Sequence, residues 1–158
     1  MQISSFKILP CLILFSLFAG CFTAEKIVST PSGLIYMDNK TGTGREAEYG
    51  DSVSIHFKAW VVNDSDYIWD DKLNNKSMIS LGNTYLIKRP IEFILEENAF
   101  IKGSYEGIIG MKKGGIRTII IPSTLLYDRP KNLCPPDSNI MLIVELVDLK
   151  KLNSAAHR

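Results

Sequence analysis

The sequence predicts an α+β fold, an antiparallel β-sheet wrapped around one short α-helix. Three observations carry this expectation. In SVSIHFKAWVV (52–62) the residues Val53, Ile55, Phe57, Ala59 and Val61 alternate with Ser54, His56, Lys58 and Trp60. That is period two, a strand with one face in a core. Ile101, Tyr105, Ile108 and Ile109 fall at i, i+4, i+7 and i+8, one helical stripe too short to hold alone, so it must lie on a sheet. Finally, GIIGMKKGGIRTIIIP (107–122) passes from that stripe through a glycine turn into a β-branched run closed by proline.

The elements follow in order. LIYM (34–37) is a compact apolar run, and DNKTGTG after it reads as a polar turn. AEYGD is a second turn before the long strand at 52–62. A short strand is expected at Tyr85–Lys88, and IEFIL (91–95) reads as another. Gly110 can end the helix, with Lys112 and Lys113 beside its C-terminus, where peptide dipoles favour cations. Gly114 and Gly115 permit a tight reversal. Thr118 to Ile121 is strand, and Pro122, with no N–H to donate, stops the pairing. A long loop then leads to the last strand, IMLIVELVDLKKL (140–152).

Residues 1–20 do not belong to this fold. Lys7 precedes an apolar run from Ile8 to Ala19, which fits the h-region of an export signal. Ala19-Gly20-Cys21 resembles a bacterial lipobox, with Phe18 where that motif prefers leucine. The expectation is a lipoprotein-type signal peptide (1–20) and a lipidated Cys21 in a bacterial envelope. An ordinary secretory signal, giving a secreted or periplasmic protein, and an uncleaved anchor stay open. Residues 21–32 read as a tether, 33–152 as the domain and 153–158 as a polar tail. With Cys11 in the signal and Cys21 modified, only Cys134 remains, so no internal disulfide is expected. A net charge of +1 gives no field for nucleic acid. His56, across the strand from Phe57, has no second histidine nearby, since His157 lies in the tail, so no metal site is expected.

FIKGSYEGIIGMKKGGIRTIIIPSTLLYD resembles the central signature of the FKBP-type peptidyl-prolyl cis-trans isomerases. The flanks SGLIYMDNKTGTG, GDSVSIHFKAWV and CPPDSNIMLIVELVDL resemble that family's opening strand, early strand and closing strand, in the same order. The resemblance covers about residues 31–152. It implies an apolar cavity between helix and sheet that takes a prolyl ring of a proline-containing polypeptide, without cofactor or metal. It also implies the roles of individual residues. Trp69 would be an aromatic wall beside Asp70, and Phe57 would stand for an early-strand tyrosine, with its ring but not its hydroxyl. Phe100 and Ile101 would offer a backbone amide to the ligand. The hydroxyl of Tyr127 would bond a ligand carbonyl.

The chain departs from the family pattern at the pocket lining. Ser104 stands where a tryptophan forms the floor, so Trp60 or Tyr105 would have to fill it, and Ser104→Trp would be expected to raise turnover. Ile91 and Leu142 replace phenylalanines, Leu126 and Asp128 replace an alanine and a glycine, and residues 71–89 carry an insertion. The function expected is a monomeric, lipid-anchored isomerase that helps exported proteins fold. The rivals are a partner-binding lipoprotein of the same fold with weak or no turnover, and a structural surface protein.

Overall fold

A computed structural model of the chain describes residues 26–62, 78–101, 103–126, 135 and 137–152. Their elements run β1 (Ile27–Ser29), β2 (Ile35–Lys40), β3 (Thr43–Glu46), β4 (Ser52–Val62), β5 (Ile79–Asn83), β6 (Ile91–Ile94), α1 (Ser104–Ile108), β7 (Lys112–Lys113), β8 (Ile116–Ile121) and β9 (Asn139–Lys150). Seven strands form one antiparallel sheet in the order β1-β2-β8-β9-β4-β5, with β6 also paired to β4. This is the sheet with one short helix that the patterning predicts.

The two longest strands build the centre. β4 pairs with β9 along its whole length, from Ser52 opposite Lys150 to Val62 opposite Asn139. The other edge of β4 is shared. β6 covers Ser52 to Ile55, and β5 covers Lys58 to Val61. His56 and Phe57 lie in the gap between them. Because the side-chain period is two, the inward residues Val53, Ile55, Ala59 and Val61 of β4 join Ile119 and Ile121 of β8 and Leu142, Val144 and Leu146 of β9 in one buried core. The outward residues carry a smaller cluster in which Trp60 packs against Val62, Ile120 and Met141.

Helix α1 covers the concave face, with Ser104, Gly107 and Ile108 buried. Gly107 makes the close approach possible: a Cβ there would lie 2.7 Å from Ile119 Cγ2. The five-residue helix is too short to persist in isolation, so its packing on β8 holds it.

Four features differ from the sequence expectations. Ile27–Ser29, in the stretch read as tether, pair with Ile35–Met37 as an edge strand. The strand within the insertion is Ile79–Asn83, and Tyr85–Lys88 form turns instead. Asn83 explains the stop, because its Oδ1 accepts the Tyr85 N–H at 3.0 Å and turns the chain. Within the stretch read as a polar turn, Thr43 begins β3, which pairs with β7. Lys112 and Lys113 therefore point away from the helix end, to Glu46 and Asp148. The cation at the helix C-terminus is Arg117, whose Nη1 donates to the carbonyls of Gly107 and Ile109 at 2.9 and 3.0 Å. Its other nitrogens hold Asp38 at 2.7 and 3.0 Å. In the reversal only Gly114 takes positive φ (77°); Gly115 is needed for space, since a Cβ would lie 2.8 Å from the Lys112 carbonyl oxygen.

Candidate functional site

The site is built where three separated segments meet. β4 supplies Phe57, β6 supplies Phe93, and the turn before α1 supplies Phe100. The Phe100 ring meets Phe57 edge-on, with centroids 4.6 Å apart and planes at 62°. It stacks on Phe93 at 5.7 Å and 24°. Both geometries suit the quadrupole of aromatic rings. All three rings are half-buried on the main core, as are Ile91 and Ile101. Phe100 has a left-handed backbone, φ 62°, which for a bulky residue is an outlier of the kind found where a side chain is held for a purpose. Among the described residues no group accepts the Ile101 N–H, whereas the Ile101 carbonyl accepts the Ser104 N–H at 2.9 Å. An apolar aromatic surface beside a backbone donor is thus on the concave side of the sheet.

The gap in the β4 ladder is closed by one residue. Thr84 Oγ1 accepts the Phe57 N–H at 2.8 Å and donates to the Phe57 carbonyl at 3.2 Å. The Thr84 N–H reaches the same carbonyl at 3.0 Å. Thr84 is buried. His56 Nδ1 lies 3.0 Å from the same hydroxyl, and its ring stacks on Tyr85 on the outer face. His56 is thereby structural. Phe93 and Thr84 were not anticipated as site residues. Phe93 could have been found by period two from Ile91. Thr84 has no local signal, because its role depends on a contact 27 residues away in sequence.

The expected floor is different. Ser104 and Leu142 are fully buried in the core. The Ser104 hydroxyl has no hydrogen-bond partner among the described residues. Neither Trp60 nor Tyr105 replaces the missing indole. Trp60 lies in the outer cluster, and Tyr105 packs edge-on to Tyr49 at 6.4 Å, its phenol pushed up by burial first and by Glu97 and Glu106 next. The helix approaches the sheet closely at Gly107, and Ser104 is fully buried, so an indole at position 104 would have to displace its neighbours. Leu126 is buried beside this core. Trp69, Asp70, Tyr127, Asp128 and Cys21 lie outside the described residues, as do Cys134 and residues 71–77 of the insertion.

A cavity of about 150 Å³ lies elsewhere, lined by Asp38, Lys40, Glu46, Met111, Lys112 and Arg117 among others. Its main charges are already paired, Arg117 with Asp38 and Lys112 with Glu46, and no residue expected at the prolyl site lines it. No group of metal-ligating side chains is found among the described residues.

Comparisons with known proteins agree with this geometry. The family model described as FKBP-type peptidyl-prolyl cis-trans isomerase matches residues 43–147. The FK506-binding protein of Neisseria meningitidis serogroup B is 31% identical over 117 residues, 73% of this chain and 94% of that protein. The FKBP-type peptidyl-prolyl cis-trans isomerase FkpA of Escherichia coli K12 is 30% identical over 131 residues, 82% of this chain but only 43% of that protein. The crystal structure of FkpA from Escherichia coli superposes with a TM-score of 0.62 at 26% identity, covering 82% of this chain and 54% of that one. That of AtFKBP13 gives 0.57 at 27%, covering 78% and 98%. A family model that spans the sheet and helix, and a relative matched over nearly its whole length, show that this chain belongs to the FKBP-type peptidyl-prolyl cis-trans isomerase family.

Proposed function

We infer that the chain is a peptidyl-prolyl cis-trans isomerase of a bacterial envelope, anchored by lipid at Cys21 and acting on exported polypeptides that contain proline. The observation that carries this reading is the meeting of Phe57, Phe93 and Phe100 beside the Ile101 N–H, which no described residue accepts. Rotation about an X–Pro bond crosses a barrier of roughly 18–20 kcal/mol because the amide is resonance-stabilised. The twisted amide has lost that resonance, so a surface that suits it better than the planar amide accelerates rotation without a nucleophile or metal. The three rings would hold the prolyl ring, the Ile101 N–H would steady a substrate carbonyl, and Tyr127 and Asp70 would complete the wall from their positions in the family pattern.

The test is a protease-coupled isomerisation assay on the detergent-solubilised chain, with labelled palmitate followed in cells. The expected results are a rate above the uncatalysed reaction, label in the wild-type protein, and loss of label and of membrane attachment in Cys21→Ser. Two acyl chains give stable attachment where one does not.

A second reading is favoured by one observation. Ser104 and Leu142 are fully buried and stand where the family pattern has aromatic rings, so fewer rings line the site, which suits a module that binds proline-containing peptides with little turnover. Peptide binding without acceleration would select it.

A further inference from the structure

On the outer face of the sheet, opposite the helix, the turn after β5 holds apolar side chains out into solvent. Leu86 is 80% exposed and Ile87 66% exposed. This is not a loose loop. Tyr85 anchors it: its hydroxyl donates to Glu145 Oε2 at 2.6 Å, and its ring stacks on His56 with centroids 4.7 Å apart. The Lys88 N–H donates to the Tyr85 carbonyl at 3.3 Å, and Lys88 takes a left-handed φ of 52°. Thr84, at the start of the turn, is tied to Phe57. A turn held this firmly cannot fold Leu86 and Ile87 back onto the sheet.

The charge around this tip is one-sided. Lys88 and Arg89 are exposed and form no ion pair among the described residues, and Lys58 Nζ lies 5.4 Å from the Tyr85 ring centroid. Elsewhere Arg45, Lys112, Lys113, Arg117, Lys150 and Lys151 face carboxylates, and Lys26 and Lys40, which do not among the described residues, stand without an apolar turn beside them. Glu145, whose carboxylate accepts the Tyr85 hydroxyl, is the acid placed against the turn among the described residues, so three cations face one carboxylate there. A protruding apolar tip flanked by Lys58, Lys88 and Arg89, which form no ion pair among the described residues, matches a bilayer surface, where acyl chains lie below anionic headgroups.

We propose that the Tyr85–Arg89 turn is a membrane-contact element that inserts Leu86 and Ile87 into an anionic lipid surface, with Lys58, Lys88 and Arg89 on the headgroups. It leaves the concave, helix-bearing side turned to the aqueous phase, where a polypeptide can reach it. The envelope reading supplies the bilayer; the contact itself does not require lipid on Cys21 or isomerase activity.

The test uses the full chain carrying Leu86→Trp, a site exposed enough to accept the indole, mixed with vesicles of brominated phosphatidylcholine containing about one third phosphatidylglycerol. The wild-type chain supplies the background of its own tryptophans, and pelleting of the Lys88→Glu/Arg89→Glu chain, in which the turn is disabled, reports the N-terminal segment separately. The expected result is a blue-shifted emission from residue 86 that falls roughly twofold relative to unbrominated vesicles. It should be lost in neutral vesicles and in the Lys88→Glu/Arg89→Glu background. Emission that stays aqueous with anionic vesicles overturns the proposal. So does equal quenching in neutral vesicles, which would mean apolar contact without headgroup recognition. A response to a permanently unfolded polypeptide in place of vesicles also overturns it and makes the turn a polypeptide-binding surface.

Discussion

Thr84 takes the place of a strand for Phe57. Its hydroxyl and its N–H satisfy both backbone polar groups of Phe57, at 2.8, 3.2 and 3.0 Å, in the gap between β6 and β5. The aromatic wall of the candidate site is therefore held from behind by a side chain that touches no ligand. Thr84→Val keeps the shape but leaves the Phe57 N–H without an acceptor. The expected cost is about 1–3 kcal/mol, read by urea unfolding. The specificity constant kcat/KM should fall with it, and Thr84→Ser, which keeps the hydroxyl, should restore both.

Phe57 and Phe100 should prove coupled. Replacing each by leucine singly and together gives a double-mutant cycle. The expected coupling is about 0.5–1.5 kcal/mol in stability, from the edge-on contact at 4.6 Å. Peptide binding should weaken more in Phe100→Leu than the stability loss alone explains, because that ring also stacks on Phe93.

Ser104 should respond opposite to the expectation that the family pattern raises. The hydroxyl is buried without a partner among the described residues, so Ser104→Ala should stabilise the fold by about 1 kcal/mol. Ser104→Trp should destabilise it by about 1–3 kcal/mol through overpacking against the sheet, with no gain in turnover. Thermal melts and isomerisation rates on both variants check this. A Trp variant as stable as wild type would mean that the floor is open.

Asp51 should make stability fall in acid. The Arg45 guanidinium, at 2.6 and 3.0 Å, and then the Glu48 N–H, at 2.8 Å, hold its carboxyl below the usual range. The folded value is depressed, so the unfolded chain binds the proton more readily. The contribution is complete above the unfolded pKa of about 3.9 and is lost as pH falls through the lower folded value. The stability gap between wild type and Asp51→Asn should thus be constant near neutrality and shrink below about pH 4, as denaturant midpoints across pH would show.

The local patterns determined β4, β6, β8, β9 and the helical stripe on their own. In β4 the period of two marks the buried face within a dozen residues, whereas β8 is buried on both faces and the helix buries Ser104, Gly107 and Ile108, so that of the apolar stripe only Ile108 is fully covered. The family followed from motifs written on those same elements. Only the tertiary structure decided the rest. Arg117 caps the helix and holds Asp38, 79 residues earlier, a role the sequence seemed to offer to Lys112 and Lys113. Thr84 supports Phe57, and Phe93 joins Phe100. Ser104 is buried in a helix that Gly107 lets approach Ile119. These relationships depend on which strands become neighbours and how closely two elements approach. Chain folding sets both, through the packing of side chains far apart in sequence, and no local period records them.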